Sequence, residues 1–328
     1  MYDVITVGSA TVDVFARAES ELIRIIGREK QTEMLAFPAG TKLLINKLSF
    51  TTGGGGTNSA VSIAKMGLKV AFLGKVGSDD NAEKVMKSLK TSRVDTTLVR
   101  RGNGETGYSI ILDSIDNDRV ILACKGINDR LSFSEINRKG LKTKWLYFSS
   151  MVGESYNTLE KLAQFAGRSG IQILFNPSSY LAKEGPDFLK KVLKHTTVLV
   201  FNMAEAMALT GKTGLEDIFK CLFALGPTIV VITCGKSGTY ASDRKHLYRV
   251  YPKKVRLVES TGAGDAFASA FLAGLIKKGN MLFALDLGTT NAESVITHYG
   301  AKNKLLTYRE ALMRMRTKRR ISRKKVRW

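Results

Sequence analysis

A doubly wound α/β fold with a mostly parallel central sheet is what this sequence predicts, and three features carry the prediction. Short apolar runs alternate with amphipathic stretches of helical length, most regularly from Trp145 onward. The first apolar run, from Asp3, breaks at Gly8 with a carboxylate, Asp13, just beyond it, and several later runs end in small-residue turns that open a helix. Strand, turn and helix in that order describe βαβ units, whose ligands collect beyond the carboxyl ends of the strands.

Asp3 to Val14 reads as the opening strand, so that Asp13 faces the crevice. A carboxylate there accepts hydroxyl hydrogen bonds from a polyol; a turn or helix cap explains it as well. Glu19 to Glu33 is charged and reads as a helical piece, followed by Pro38-Ala39-Gly40 and a strand from Lys42 to Phe50. The run Thr52-Gly53-Gly54-Gly55-Gly56-Thr57-Asn58 then opens a helix through Gly67. Its glycines let backbone approach a ligand, and Asn58 brings a donor and an acceptor to the helix entrance. Val70 to Val76 is a strand and Asn81 to Lys90 an amphipathic helix.

The alternation is interrupted by two β-rich runs, Thr106 to Asp113 and Arg119 to Cys124, around the polar turn Ile115 to Asp118. They read as a hairpin. With the 42–50 run they make a small sheet over the site, its apolar faces and free edges inviting dimerisation. From Trp145 the order resumes: strand to Phe148, helix Tyr156 to Arg168, strand Gln172 to Phe175 ending at Asn176-Pro177, helix Pro186 to Lys194, and strand Val198 to Phe201 ending at Asn202. Asn202 and Glu205 share a helix face; they suit either a hydrated magnesium ion or a capping box. Thr228 to Thr233 is a strand running into the turn Cys234 to Gly238, and Leu282 to Thr297 is a helix followed by the loop Tyr299-Gly300-Ala301.

Between them, a strand-like stretch ending in Val258 leads into Thr261-Gly262-Ala263-Gly264-Asp265 and a small-residue helix through Leu275. The bare turn lets an anion approach the unbonded N–H groups of the first helical turn, where the macrodipole favours negative charge. Asp265 is a carboxylate at that anion site. It is either an ordinary first-turn residue or a base that takes a proton from a group attacking phosphate.

Composition sets the class. At 328 residues and 44% hydrophobic the chain can bury a large core. No apolar run approaches a membrane span and the start goes straight into a strand pattern, so a cytoplasmic protein without membrane contact is expected. Cys124, Cys221 and Cys234 are scattered in apolar contexts and indicate neither disulfides nor a metal site. The net charge is +22, of which Arg314 to Arg327 supplies nine Lys and Arg with no acid. The expected division is therefore a domain over 1–312, with lid strands from about 35–50 and 106–124, and a solvated basic tail over 313–328 whose contact with nucleic acid would be accessory.

The ordered set of Asp13, Gly-Gly-Gly-Gly-Thr-Asn, the Thr106-Gly107 hairpin, Asn176-Pro177, Asn202-x-x-Glu205, Thr233-x-Gly235-x-x-Gly238 and Thr261-Gly262-Ala263-Gly264-Asp265 resembles the ribokinase (PfkB) family of carbohydrate and nucleoside kinases over residues 3 to 312. The resemblance implies a central sheet with a β-lid and transfer of the ATP γ-phosphate, with ADP the alternative donor, to a hydroxyl of a small sugar. It implies Asp265 as base, Gly262, Ala263 and Gly264 as anion hole, and Asp13, Gly54, Gly55 and Asn58, with Tyr108 from the lid, around the acceptor. Asn176, Asn202, Thr233, Gly235, Gly238 and Asn291 would serve the nucleotide, with Asn202 and Glu205 acting on Mg2+. A homodimer through the lid follows from the same likeness.

Two positions depart from the family pattern. Glu259 replaces an Asp that helps hold a monovalent cation, so potassium activation is not expected, and Gly55 replaces a Lys found in ribokinases and several phosphosugar kinases. Nucleosides are the alternative acceptors, with Phe37, Tyr108 and Ile110 the candidate platform for a base. A nucleotide- or RNA-binding protein without catalysis is the rival reading.

Overall fold

The computed structural model describes the chain apart from residues 19–20, 27–30, 37–38, 41, 114–118, 318 and 327–328. Phe37 and the hairpin turn 115–118 therefore lie outside the described residues.

Nine strands make the main sheet, in the spatial order Ile321–Lys325, His246–Val250, Thr239–Ser242, Ile229–Thr233, Val198–Asn202, Gln172–Asn176, Thr143–Ser149, Tyr2–Val7 and Val70–Leu73. From Ile229–Thr233 to Val70–Leu73 all pairings are parallel, and the remaining edge is antiparallel. The parallel strands read as unbroken apolar runs because both faces are covered. Ile5, Val7, Leu146, Phe148, Phe175 and Phe201 pack into one apolar layer with helices such as Gly153–Ser169 and Leu215–Ala224. The alternate residues Val4, Tyr147, Leu174, Val198 and Val200 pack into the other, with helices Gly55–Lys65 and Ala263–Lys278.

The first run is not one strand. Tyr2–Val7 ends in the main sheet, and Thr11–Ala18 joins a separate four-stranded sheet between Gly107–Asp113 and Ile45–Gly53, with Arg119–Cys124 beyond. The switch occurs at Gly8, where a side chain would sit 2.8 Å from the Gly56 Cα, so only glycine lets the chain pass under the glycine-rich helix. In the expected helical piece, Glu21–Ile26 instead pairs antiparallel with Gln31–Ala36. Its Ile and Thr residues favour extended backbone more strongly than its charges favour a helix. Val255–Val258 is likewise not a strand: the Val258 and Glu259 N–H groups both donate to the Ile296 carbonyl, at 2.8 and 3.2 Å, and so are tied to a helix end instead of a neighbouring strand. Cys124 is exposed rather than packed.

The chain end is corrected most. Ile321–Lys325 is the outer strand of the main sheet, not a solvated tail, because Ile321 packs into the core and Arg319 is drawn inside. The Arg319 side chain, 1% exposed, binds Glu293 at 2.7 and 3.1 Å, Asp286, and the Thr290 hydroxyl at 2.7 Å, all on helix Met281–Val295. Removing one member of such a buried cluster leaves the others unpaired. Arg319→Ala is expected to cost ~3 kcal/mol in urea denaturation, whereas Arg316→Ala, at an exposed position, changes stability by less than about 0.5 kcal/mol. A chain ending at Leu312 loses the edge strand as well and unfolds at lower urea than Arg319→Ala.

Candidate active site

The carboxyl ends of the parallel strands open onto a cavity of about 340 Å³, in the range of small-ligand sites. Helices beginning at Gly55, Met203 and Ala263 all present residues of their first turn to it. The third helix opens from Gly262, whose φ of 78° and contact with Ala301, only 2.3 Å from where a Cβ would stand, allow no side chain. This leaves Gly264 and Asp265 at the start of the helix with N–H groups that have no intrahelical acceptor.

Asp265 lines the cavity and is held by Asn58, whose Nδ2 donates to its Oδ2 at 2.9 Å. Residues 207 apart in sequence thus form one unit. Burial raises the Asp265 pKa to about 6, opposed by the Asn58 hydrogen bond and the charge of Lys302. The other amide atom, Asn58 Oδ1, is buried and has no hydrogen-bond partner among the described residues. An acceptor oxygen left in that state suits a hydroxyl-bearing ligand.

On the lid side, Asp13 accepts from Thr11 Oγ1 at 2.8 Å. Its carboxyl is pushed up by burial, while Thr11, Ser109 and Lys302 pull it back. Tyr108 does not join this group. Side chains alternate along a strand, so Tyr108 points to the face opposite Ser109 and packs against the apolar core. Gly54 caps the glycine-run helix with a φ of 93°.

Lys302 is the residue that sequence reasoning missed. Its Nζ donates to Thr57 Oγ1 at 2.8 Å and Thr52 Oγ1 at 3.0 Å, joining the glycine-run helix to a lid strand. Desolvation lowers its pKa to about 7 against the opposing pull of Asp13 and Asp265. Nothing local marks it, since a lysine in a short polar loop looks like any surface lysine; only its position beside Ala301, which backs the Gly262 turn, hints at its place.

On the nucleotide side, Asn202 and Glu205 form the capping box: Glu205 N donates to Asn202 Oδ1 at 2.8 Å and Asn202 N to Glu205 Oε2 at 3.0 Å. Both residues still line the cavity. Burial raises the Glu205 pKa, and the Asp265 charge adds to the rise. Glu205 keeps one carboxylate oxygen outside the box. No cluster of three or more metal-ligating side chains occurs among the described residues. A cavity-lining carboxylate such as Glu205 would suit a hydrated Mg2+, which keeps several waters and takes one or two carboxylates together with ligand phosphates.

Asn176 lines the cavity and donates to the Tyr147 hydroxyl at 3.2 Å, and Thr233 lines it too. Gly235 and Gly238 form the turn after Thr233, outside the cavity lining. Asn291 is displaced from its expected role. It is 0% exposed, donates to Ser62 Oγ and the Ala266 carbonyl at 3.1 and 2.9 Å, and accepts from Leu306 N at 3.0 Å. A fully satisfied amide between two packed helices is a core tie, with nothing left for a nucleotide.

Residues 3–307 match the pfkB family carbohydrate kinase. An uncharacterized sugar kinase of Archaeoglobus fulgidus is 27% identical over 250 residues, 75% of this chain and 98% of that protein. The nucleoside kinase of Methanocaldococcus jannaschii, an archaeal member of the ribokinase family, has the same fold with a TM-score of 0.80 at 21% identity, covering 96% of this chain and 98% of that one. Arabidopsis thaliana ribokinase complexed with ribose and ATP gives 0.81 at 18% identity, covering 95% and 98%. No described helix is long and apolar enough to cross a membrane. The chain belongs to the pfkB family of carbohydrate kinases, phosphotransferases with an alcohol group as acceptor.

Proposed function

We propose that this protein transfers the γ-phosphoryl group of ATP, as its magnesium complex, to a hydroxyl of a small sugar. The observation that carries the reading is Asp265, a carboxylate at a bare helix opening that is bonded to Asn58, lines the cavity with Asn202 and Glu205, and shares the charge of Lys302 with the lid-side carboxylate Asp13. In the reaction the acceptor oxygen bonds to the γ-phosphorus as the bond from that phosphorus to the β-bridging oxygen breaks. The hydroxyl proton goes to Asp265, and ADP leaves with the electron pair. The N–H groups of Gly264 and Asp265 face the charge that develops on the phosphoryl oxygens. Asn58 and Asp13 orient the acceptor, and Glu205 would hold a magnesium ion, which would supply charge neutralisation for the phosphates.

An ADP-release assay over fructose, ribose, glucose, adenosine, guanosine, cytidine and fructose 6-phosphate tests the reading. One sugar is expected to be turned over, and Asp265→Asn to lower its kcat by ~10³-fold. A nucleoside as the best acceptor would move the substrate class, and silence on every acceptor with ATP still bound would favour a binding protein.

The pH dependence follows from the half-buried Asp265 carboxylate. Asp265 accepts a proton only when ionised, and its raised pKa places the acid limb of kcat/KM near pH 6 instead of near 4. The Lys302 charge holds that value down, so Lys302→Met moves the limb upward, to higher pH. A limb that stays in place in Lys302→Met would make Lys302 a strut only.

The lid also carries an assembly reading. Register rows Phe50–Val14–Ile110–Leu122 and Leu48–Ala16–Leu112–Val120 put exposed Phe50, Leu48, Ile110, Leu122 and Val120 on one face of the lid sheet, opposite Asp13 and Ser109. Such a face suits a second copy of the chain. Gel filtration is expected to show a dimer at micromolar concentration that Leu122→Glu converts to monomer.

A further inference from the structure

Lys125 follows directly on the lid strand Arg119–Cys124 and lines the cavity with Gly55, Glu205 and Asp265. Its backbone is fixed. The Asn128 N–H and Nδ2 both donate to the Lys125 carbonyl, at 3.2 and 3.0 Å, and the same amide pairs with the N–H and carbonyl of Ala10 at 2.9 Å each. The stem therefore starts from a set point beside the Gly8–Ala10 turn, while the head keeps the reach of its flexible carbons. That head rests 4.6 Å from the centroid of the Tyr180 ring, itself part of the cavity wall. A cation over an aromatic face is held without a hydrogen-bonding anion and is free to turn to one that arrives.

The charge balance of the cavity gives this position its meaning. Among the described residues that line it, Lys125 is the sole cation, set against the carboxylates Glu205 and Asp265. Triphosphate entering such a space meets two like charges and one opposite charge. The glycine run offers no further cation, since a Cβ on Gly55 would lie 2.5 Å from Ser149 Oγ and 3.1 Å from Ser149 Cβ. Lys302 is already bonded to Thr52 and Thr57 and is not part of the lining. The acid nearest Lys125 in sequence, Asp129, feels its charge as well as that of Arg130, and stands outside the lining.

We propose that Lys125 is a catalytic residue whose ammonium turns from Tyr180 onto the γ-phosphoryl group and neutralises its charge during transfer. The assignment rests on the phosphoryl-transfer reading. Lys125 gives up no proton in the step: the bonds made and broken are those already described, with Asp265 as the proton acceptor.

The test compares Lys125→Met and Lys125→Arg with the unchanged protein. Lys125→Met is expected to lower kcat by ~10²-fold with the acceptor KM changed by less than about threefold, and Lys125→Arg to recover most of the rate. Calorimetric titration with ATP and with ADP, without acceptor, provides a readout that needs no turnover. Lys125→Met is expected to lose roughly tenfold in ATP affinity and to keep that for ADP, because only ATP carries the contacted group. Unchanged kcat together with an unchanged ATP to ADP ratio would overturn the assignment. So would equal loss of both nucleotides, which would make Lys125 a general pocket residue. If the unchanged protein binds ATP but phosphorylates no acceptor, the phosphoryl-transfer reading fails on its own account, and the ATP to ADP ratio still decides whether Lys125 meets the γ-phosphate.

Discussion

A carboxylate kept ionisable while largely removed from water is the constraint around which the site is arranged. Burial raises the Asp265 pKa to about 6, still low enough for the group to be mostly ionised at neutral pH. Two opposing contributions keep it there, the Asn58 amide at 2.9 Å and the charge of Lys302. Without burial the carboxylate would be a weaker base, and without its partners it would be neutral when needed. The same compromise appears in Lys302, lowered to about 7 by desolvation against the pull of Asp13 and Asp265. The three charges support one another, and each is costly alone.

The fold supplies those partners from far apart in the chain. Gly8 and Gly56 let the opening strand and the glycine-run helix cross in contact, which carries Asn58 to Asp265. Ala301 packs under Gly262, which sets the helix opening and brings Lys302 two residues from Gly300 to the lid strand at Thr52. Glu259 reinforces the same loop, its Oε2 accepting from Gly300 N at 2.8 Å. The position where the family pattern has an Asp therefore serves here to hold the loop that carries the lysine. Lid strand, glycine-run helix and Gly262 turn are joined through a few partly buried polar bonds, so displacement of any of them moves the charges that tune Asp265.

How much of this was legible depends on the range of the interaction. The glycine turns, the helix openings and the strands of the parallel sheet are short-range patterns, and Asp265 and Glu205 line the cavity at helix openings the sequence marks, with Asn58 bonded to Asp265. The assignment of Thr11–Ala18 to the lid was not legible, because leaving the main sheet at Gly8 depends on the contact with Gly56. Lys302 and Lys125 are ordinary lysines in sequence, and only their neighbours in space distinguish them. Asn291 failed in the opposite sense, since an amide near the end of a motif-bearing region looked available while three buried bonds had already claimed it. The capping box at Asn202 was legible as one of two alternatives, and the structure adds that capping and lining the cavity are compatible in the same two residues.

The basic chain end shows that charge count alone is a poor guide to role. Arg319, one of nine cations in the last stretch, is buried in a cluster with Asp286 and Glu293, and so ties the edge strand to the helix that also carries Asn291. Beyond it the strand Ile321–Lys325, outermost in the nine-stranded sheet among the described residues, leaves Arg323, Lys324 and Lys325 exposed. An open edge is a template for unwanted pairing, and a row of like charges blunts it by repulsion. One segment thus closes the sheet on its inner side through a buried arginine and protects it on its outer side through exposed ones. Its cationic composition has a structural cause that does not require a polyanionic partner.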